Sequence, residues 1–279
     1  MSAAPAHGSF AVDAVAFWAP TLPGWPLARA AFRGEQAPLA APAKRPAPQL
    51  LAAAERRRAP DTVALALEVA AAAVHASGHD AAAQPSVFTS THGDLAVSDY
   101  MCATLASAPT LISPTKFHNS VHNAAAGYWT IATGCRETST ALTAFDASFA
   151  AGLLEAASQC SADDRAVLLV AFDVEASGAL ASVVDSAGLL ACALVLAPSP
   201  SESSIAVFDW ELAHETKAAP APRSAAARSL AGNAMAGALP LLEAIATVDR
   251  SDAPLALPLG PSLALRLTAH ALVAAEARP

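Results

Sequence analysis

The stretch Thr138–Phe172, TSTALTAFDASFAAGLLEAASQCSADDRAVLLVAF, decides the fold class. Thr138–Ala144 reads as a strand, rich in β-branched residues. Asp146–Cys160 reads as a helix of Ala, Leu and Phe, apolar nearly all round and therefore buried, with Asp146 as its N-cap. Ala166–Phe172 (AVLLVAF) is an unbroken apolar run, expected of a strand covered on both faces in a mostly parallel sheet. Strand, buried helix and buried strand in succession point to an α/β protein.

The flanks repeat this alternation. Upstream, Phe10–Trp18 alternates like a strand and ends at the prolines of 20–26. Leu27–Phe32 is a short helix closed by Gly34, and Gln36–Pro48 is a Pro- and Ala-rich loop. Asp61–His75 has helical spacing, with Asp61 as N-cap and Gly78 just past its end. Ser86–Ser90 is a short strand, and Asp99–Ala106 and Ala124–Thr133 are helices, the second closed by Gly134. Downstream, Leu189–Leu196 and Ile205–Trp210 are strands, Leu230–Ala246 a helix and Ser262–Val273 a last strand. The expectation is a sheet with helices on both faces.

Composition narrows the function. Aromatic residues make up 5% of the 279 positions, so the core is built from small side chains. A charged fraction of 14% is low for a free surface and suggests that a partner covers part of it. The net charge of -8 argues against nucleic acid as the main partner. The one dense basic cluster, Arg56–Arg57–Arg58, reads first as a solvated helix start and only secondarily as a contact for RNA or an acidic protein. Cys102, Cys135, Cys160 and Cys192 form no CxxC pair, so no metal or other cofactor is expected and the thiols read as reduced and cytoplasmic. Pro5, Pro20, Pro23 and Pro26 interrupt every early apolar run, and neither a signal peptide nor a membrane span is expected.

Several local segments resemble the β-ketoacyl synthases of the thiolase superfamily. Ala14–Gly24 is similar to that family's first strand and turn. Pro109–Gly134 resembles the segment running from a substrate-lining loop into a helix, and its HNSVHNAAAGYWTIATG resembles a short group associated with aryl polyene pathways. Ser182–Leu196, with Asp185-x-Ala187-Gly188, resembles the family's Gly-rich crossing strand. In Thr140–Ser148, Thr143 and Ala144 look like the pair that precedes the nucleophilic Cys of active synthases. Phe145 follows them, and an ungapped count from Gly134 gives Asp146 instead; neither is a thiol.

What this resemblance implies is a truncated thiolase-like α/β fold without condensation chemistry. Residues 1–215 are the synthase-like N-terminal region, 216–228 a linker and 229–279 a remnant of the C-terminal half. Active synthases place a thiolate at a helix N-terminus, where orphan N–H groups and the dipole lower its pKa. Phe145 has no nucleophile and would fill the acyl pocket. Ser229–Gly237 resembles the segment carrying the second catalytic His, with Asn233 at that place, and the segment for the first His is missing. The resemblance therefore implies a chain-length factor: a silent subunit that heterodimerises with an active ketosynthase and meets acyl carrier protein through that complex. Ser113–His122 would face the partner's acyl tunnel, with Phe117 as the bulkiest stop and His118, Asn119 and His122 beside it.

Other readings remain open. His118 and His122 are four apart, so on one helix they share a face, yet no third metal ligand follows. Ser148 and Cys135 are candidate relocated nucleophiles for an independent acyltransferase or hydrolase, without a His partner apparent in the sequence. Ser90, His92 and Asp94 are too close in sequence to make a triad. A scaffold without tunnel contact is the third possibility.

Overall fold

The computed structural model describes residues 6–214, 219–249 and 254–270. The chain opens with β1 (His7–Ala19) and β2 (Leu22–Pro23), then α1 (Trp25–Phe32), α2 (Ala53–Arg58) and α3 (Asp61–Ser77). β3 (Ser86–Thr89), α4 (Leu95–Ser107), α5 (Pro114–His118) and α6 (Ala124–Thr133) follow. β4 (Ser139–Leu142), α7 (Ser148–Asp163), β5 (Val167–Asp173), β6 (Leu190–Ala197) and β7 (Ala206–Ala213) form the middle. α8 (Ala225–Arg228), α9 (Leu239–Ala246), β8 (Leu255–Gly260) and β9 (Leu263–His270) complete it.

All strands join one mixed sheet in the order β4-β3-β5-β6-β1-β7-β9-β8, with β2 hairpinned onto β1. The α/β class and the helices on both faces are as expected. The parallel share is smaller than the apolar runs suggest: β3 pairs parallel with β4 and β5, and every pairing from β5 onward is antiparallel. The run AVLLVAF arises from burial on both faces, which an antiparallel neighbour permits equally well when helices cover both sides.

The alternation of side chains sorts the core into two halves. From β5, Val167, Leu169 and Ala171 belong to the half of the core that holds α1, α7 and α9, with α7 packed on β5, whereas Leu168, Val170 and Phe172 belong to the half that holds α3 and α6, with α3 packed on β5. β1 changes parity midway, because a bulge between Val12 and Ala14 inserts a residue. Asp13 at that bulge is buried, accepting from Ser204 Oγ at 2.6 Å and lying 3.3 Å from His79 Nε2.

Helix ends account for most departures from the expected boundaries. Gly78 and Gly134 are the left-handed C-caps of α3 and α6, at φ 73° and 70°. Asp61 is the first helical residue rather than the cap and pairs with Arg45 at 2.9 Å. Asp146 is not a cap either: it lies exposed in a 3-10 turn, and α7 begins at Ser148. The expected helix Leu230–Ala246 shortens to α9, because Pro240 lacks an N–H and fits only the first turn. The hairpin strand β8 was not expected; β9 matches the last strand through His270, and 271–273 lie outside the described residues.

Candidate functional site

The candidate site lies where β3, β4 and β5 end and α7 begins. Thr143 leaves β4 and donates from Oγ1 to the Thr91 carbonyl at 2.9 Å. The chain then turns through Phe145, whose φ of 49° is in the left-handed region. A bulky side chain there costs on the order of 1–3 kcal/mol and is held only by its surroundings. The holding group is Ser148, which is buried: its Oγ accepts from the Ala144 N–H at 2.9 Å and donates to the Phe145 carbonyl at 2.6 Å. Thr89 Oγ1 in turn donates to the Ser148 carbonyl at 2.9 Å. The turn presents Phe145 outward at 79% exposure, so the expectation that it fills a pocket is corrected.

A buried carboxylate ties the neighbouring loops. Asp173, the last residue of β5, accepts from Ser90 Oγ at 2.7 Å, the Thr91 N–H at 2.9 Å and the His92 N–H at 3.3 Å. Burial pushes its carboxyl above the usual carboxylate range, and these hydrogen bonds oppose that shift. Asn233 is buried beside it. Its amide donates to the carbonyls of Ala187 at 3.1 Å and Gly188 at 3.2 Å, and its Oδ1 accepts from the Met235 N–H at 2.9 Å. Ser186 Oγ donates to the Val174 carbonyl at 2.7 Å and accepts from the Ala234 N–H at 3.2 Å. Asp173 and Ser186 were not singled out in the sequence. The signal for Asp173 was an ionisable residue at the end of an apolar run that had been closed one residue early.

This arrangement holds loops rather than activating a nucleophile. Ser148 meets the backbone on both sides and lies 3.4 Å from Thr143 Oγ1. Ser90 donates to Asp173 and accepts from the Gly93 N–H at 2.9 Å, so its hydroxyl ties the loop after β3 to the end of β5. Asp94 caps α4 through the Val97 N–H at 2.8 Å and accepts from Thr62 Oγ1 at 2.9 Å. Cys135 is buried, with its Sγ 3.5 Å from the Gln84 carbonyl. Burial pushes the Cys160 and Cys192 thiols up to about 12, away from thiolate chemistry.

The segment expected to face a partner divides in two. Phe117 is 61% exposed at the end of α5, with Leu111 and Val121 exposed nearby. His118 is exposed and meets Tyr128 edge-on at 6.1 Å between ring centroids. Asn119 points inward, 3% exposed. His122 Nε2 lies 3.0 Å from the Ser90 carbonyl. The two His residues do not share a helix face, because α5 ends at His118 and α6 starts at Ala124. Among the described residues no group of three or more His, Cys, Asp and Glu gathers as metal ligands, and no helix is long and apolar enough to cross a membrane.

A family model described as "Beta-ketoacyl synthase, N-terminal domain" matches residues 30–253. No curated protein matches the chain significantly. Among solved structures, the chain is similar to one from the ketosynthase (ApeO) in complex with its chain length factor (ApeC) from Xenorhabdus doucetiae. The identity is 22%, the TM-score 0.71, and the match covers 93% of this chain and 99% of that one. A type II polyketide synthase acyl-carrier protein in complex with its ketosynthase (AntDE:AntF) gives a TM-score of 0.74 at 10% identity, covering 96% of this chain and 100% of that one. The ishigamide ketosynthase/chain length factor gives 0.69 at 14%, with 94% and 99% covered. At these identities the likeness establishes the thiolase-like fold.

Proposed function

The chain belongs to the family of β-ketoacyl synthase N-terminal domains, and from that premise we propose that it is a non-catalytic chain-length factor. It heterodimerises with an active ketosynthase and shapes that enzyme's acyl tunnel, while the partner's Cys condenses units carried on acyl carrier protein. Residues 1–215 correspond to the synthase-like region and those from 229 onward to a remnant of the second half. The complex works in the cytoplasm, where free thiols persist.

The observation that carries this reading is Phe145. It sits in a strained turn at the head of α7, where the family resemblance calls for a nucleophile, and it has none. Ser148 and Cys135, the relocated alternatives, are engaged with the backbone or buried. The two ends of the sheet also differ. β8 is blunted by Pro258 and a bulge, whereas β4 is a short edge strand without Pro or charge. Beside β4, Ile131 on α6 is 80% exposed. An open edge flanked by exposed apolar side chains suits a lasting subunit contact.

The mechanism is steric. Each buried CH₂ of a growing chain contributes about 0.8 kcal/mol until an end wall stops further extension. Phe117, exposed on this subunit, supplies that wall when it enters the partner's tunnel. Replacing it removes the wall without touching the partner's chemistry. The test is Phe117→Ala in the reconstituted complex, read by mass spectrometry of carrier-bound products. Products at least one two-carbon unit longer support the reading; an unchanged distribution from an intact, active complex refutes the tunnel role.

A further inference from the structure

The five-residue helix α5 presents Phe117, and a helix that short does not hold its own direction. Its backbone is tied down at the start. Ser113, its N-cap, donates the backbone N–H to Tyr100 Oη at 3.1 Å, and Tyr100 is half-buried on α4. The Phe117 N–H in turn donates to the Ser113 carbonyl at 2.9 Å. A shift of Ser113 is therefore passed to Phe117, one helical turn away. Lys116 adds a second tie, its Nζ lying 5.7 Å from the centroid of the Tyr100 ring.

α4 is itself fixed at two places. Asp94 caps it through the Val97 N–H at 2.8 Å and accepts from Thr62 Oγ1 of α3 at 2.9 Å. Leu95 and Val97 are its buried residues, so the core holds its first turn. Farther along, Asp99 accepts from the Ala179 N–H at 3.2 Å. Gly178 makes room for this carboxylate: at its φ of 60°, a Cβ would stand on the Asp99 side chain. Asp99 and Tyr100 are adjacent in the chain, and α4 meets both the 3-10 turn Gly178–Ser182 and α5. The support of Phe117 thus runs from the loop after β5 through α4 to Ser113.

We propose that Tyr100 is a positioning residue for chain length: through Ser113, its hydroxyl sets how far Phe117 reaches into the partner's tunnel. The proposal rests on the reading of Phe117 as the end wall. It adds that length is set in part by a side chain that does not itself form the wall. The hydroxyl can be removed alone, because phenylalanine keeps the ring that packs on α4 and faces Lys116.

The experiment reads carrier-bound products by mass spectrometry from the reconstituted complex with Tyr100→Phe, Phe117→Ala and the double variant. Tyr100→Phe is expected to raise the share of over-length products about fivefold, the shift that loss of one such hydrogen bond gives. Heterodimer affinity and total condensation rate stay at the parent's values. The double variant matches Phe117→Ala alone, because without the wall its placement has no effect. Ser113→Pro breaks the same bond from the donor side, at a φ of -68° that suits proline, and is expected to act like Tyr100→Phe. If both bond-breaking variants keep the parent's product lengths while Phe117→Ala lengthens them, the proposal is overturned and the tunnel reading stands. Lengthening that adds up in the double variant also overturns it, since Tyr100 would then act apart from Phe117. Loss of the heterodimer in both bond-breaking variants assigns the bond to assembly and overturns it as well. An intact complex in which Phe117→Ala itself changes nothing refutes the tunnel reading, and the proposal with it.

Discussion

Ser148 Oγ donates to the Phe145 carbonyl at 2.6 Å, and through this bond a buried serine holds an exposed aromatic residue at φ 49°. The serine that looked like a nucleophile in the sequence is the clamp of the turn. If the turn keeps the backbone of a nucleophile site, a thiol placed on it should be activated by the head of the sixteen-residue helix α7. Phe145→Cys is therefore expected to react with iodoacetamide at neutral pH at least about tenfold faster than Asp146→Cys, with a lowered thiol pKa. Equal rates at the two positions, both like that of Cys102, would show that the turn confers no activation.

The native cysteines should divide by burial. Cys102 is exposed, whereas Cys135, Cys160 and Cys192 are buried, the last two with thiols pushed up to about 12. Titration with a disulfide reagent at pH 8 is expected to count one fast thiol in the native protein and four after unfolding. A second fast thiol that maps to Cys135 would revive the relocated-nucleophile reading.

Asp173 gives the stability a pH dependence of known sign. Burial raises its folded-state pKa above the ordinary 3.8, so in that window the folded protein holds a proton that the unfolded chain has released. Its contribution is fully present below the unfolded value and is lost as pH rises through the folded one. Asp173→Asn is expected to flatten this slope in chemical denaturation measured across mildly acidic pH. It should also lower stability at acidic pH, since the amide cannot accept from the Thr91 N–H as both carboxylate oxygens now accept from their neighbours. A slope unchanged by the substitution would place its origin elsewhere.

Much of the architecture was legible because periodicity and end signals are local. The run Ala166–Phe172 and the αL glycines Gly78 and Gly134 gave strand and helix limits close to those observed. Pairing direction was not legible, because burial on both faces yields the same apolar run beside parallel or antiparallel neighbours. The site was partly legible. Phe145 stood out by resemblance, but its outward presentation depends on Ser148, three residues on and inside the helix. Asp173 carries no local motif, and Asn233 stood out only by resemblance to a catalytic position; what joins them comes from loops that meet only in the folded chain, 60 residues apart. Asn119 reads as surface beside Phe117 and His118, yet the turn between α5 and α6 points it inward.

The most direct test of the central claim is co-expression of this chain with its ketosynthase, followed by size-exclusion chromatography and a condensation assay on carrier-bound units. The account predicts a one-to-one complex that condenses, with activity lost when the ketosynthase Cys is replaced, and no thioester turnover by this chain alone. A stable solitary protein that turns over thioesters by itself would contradict it.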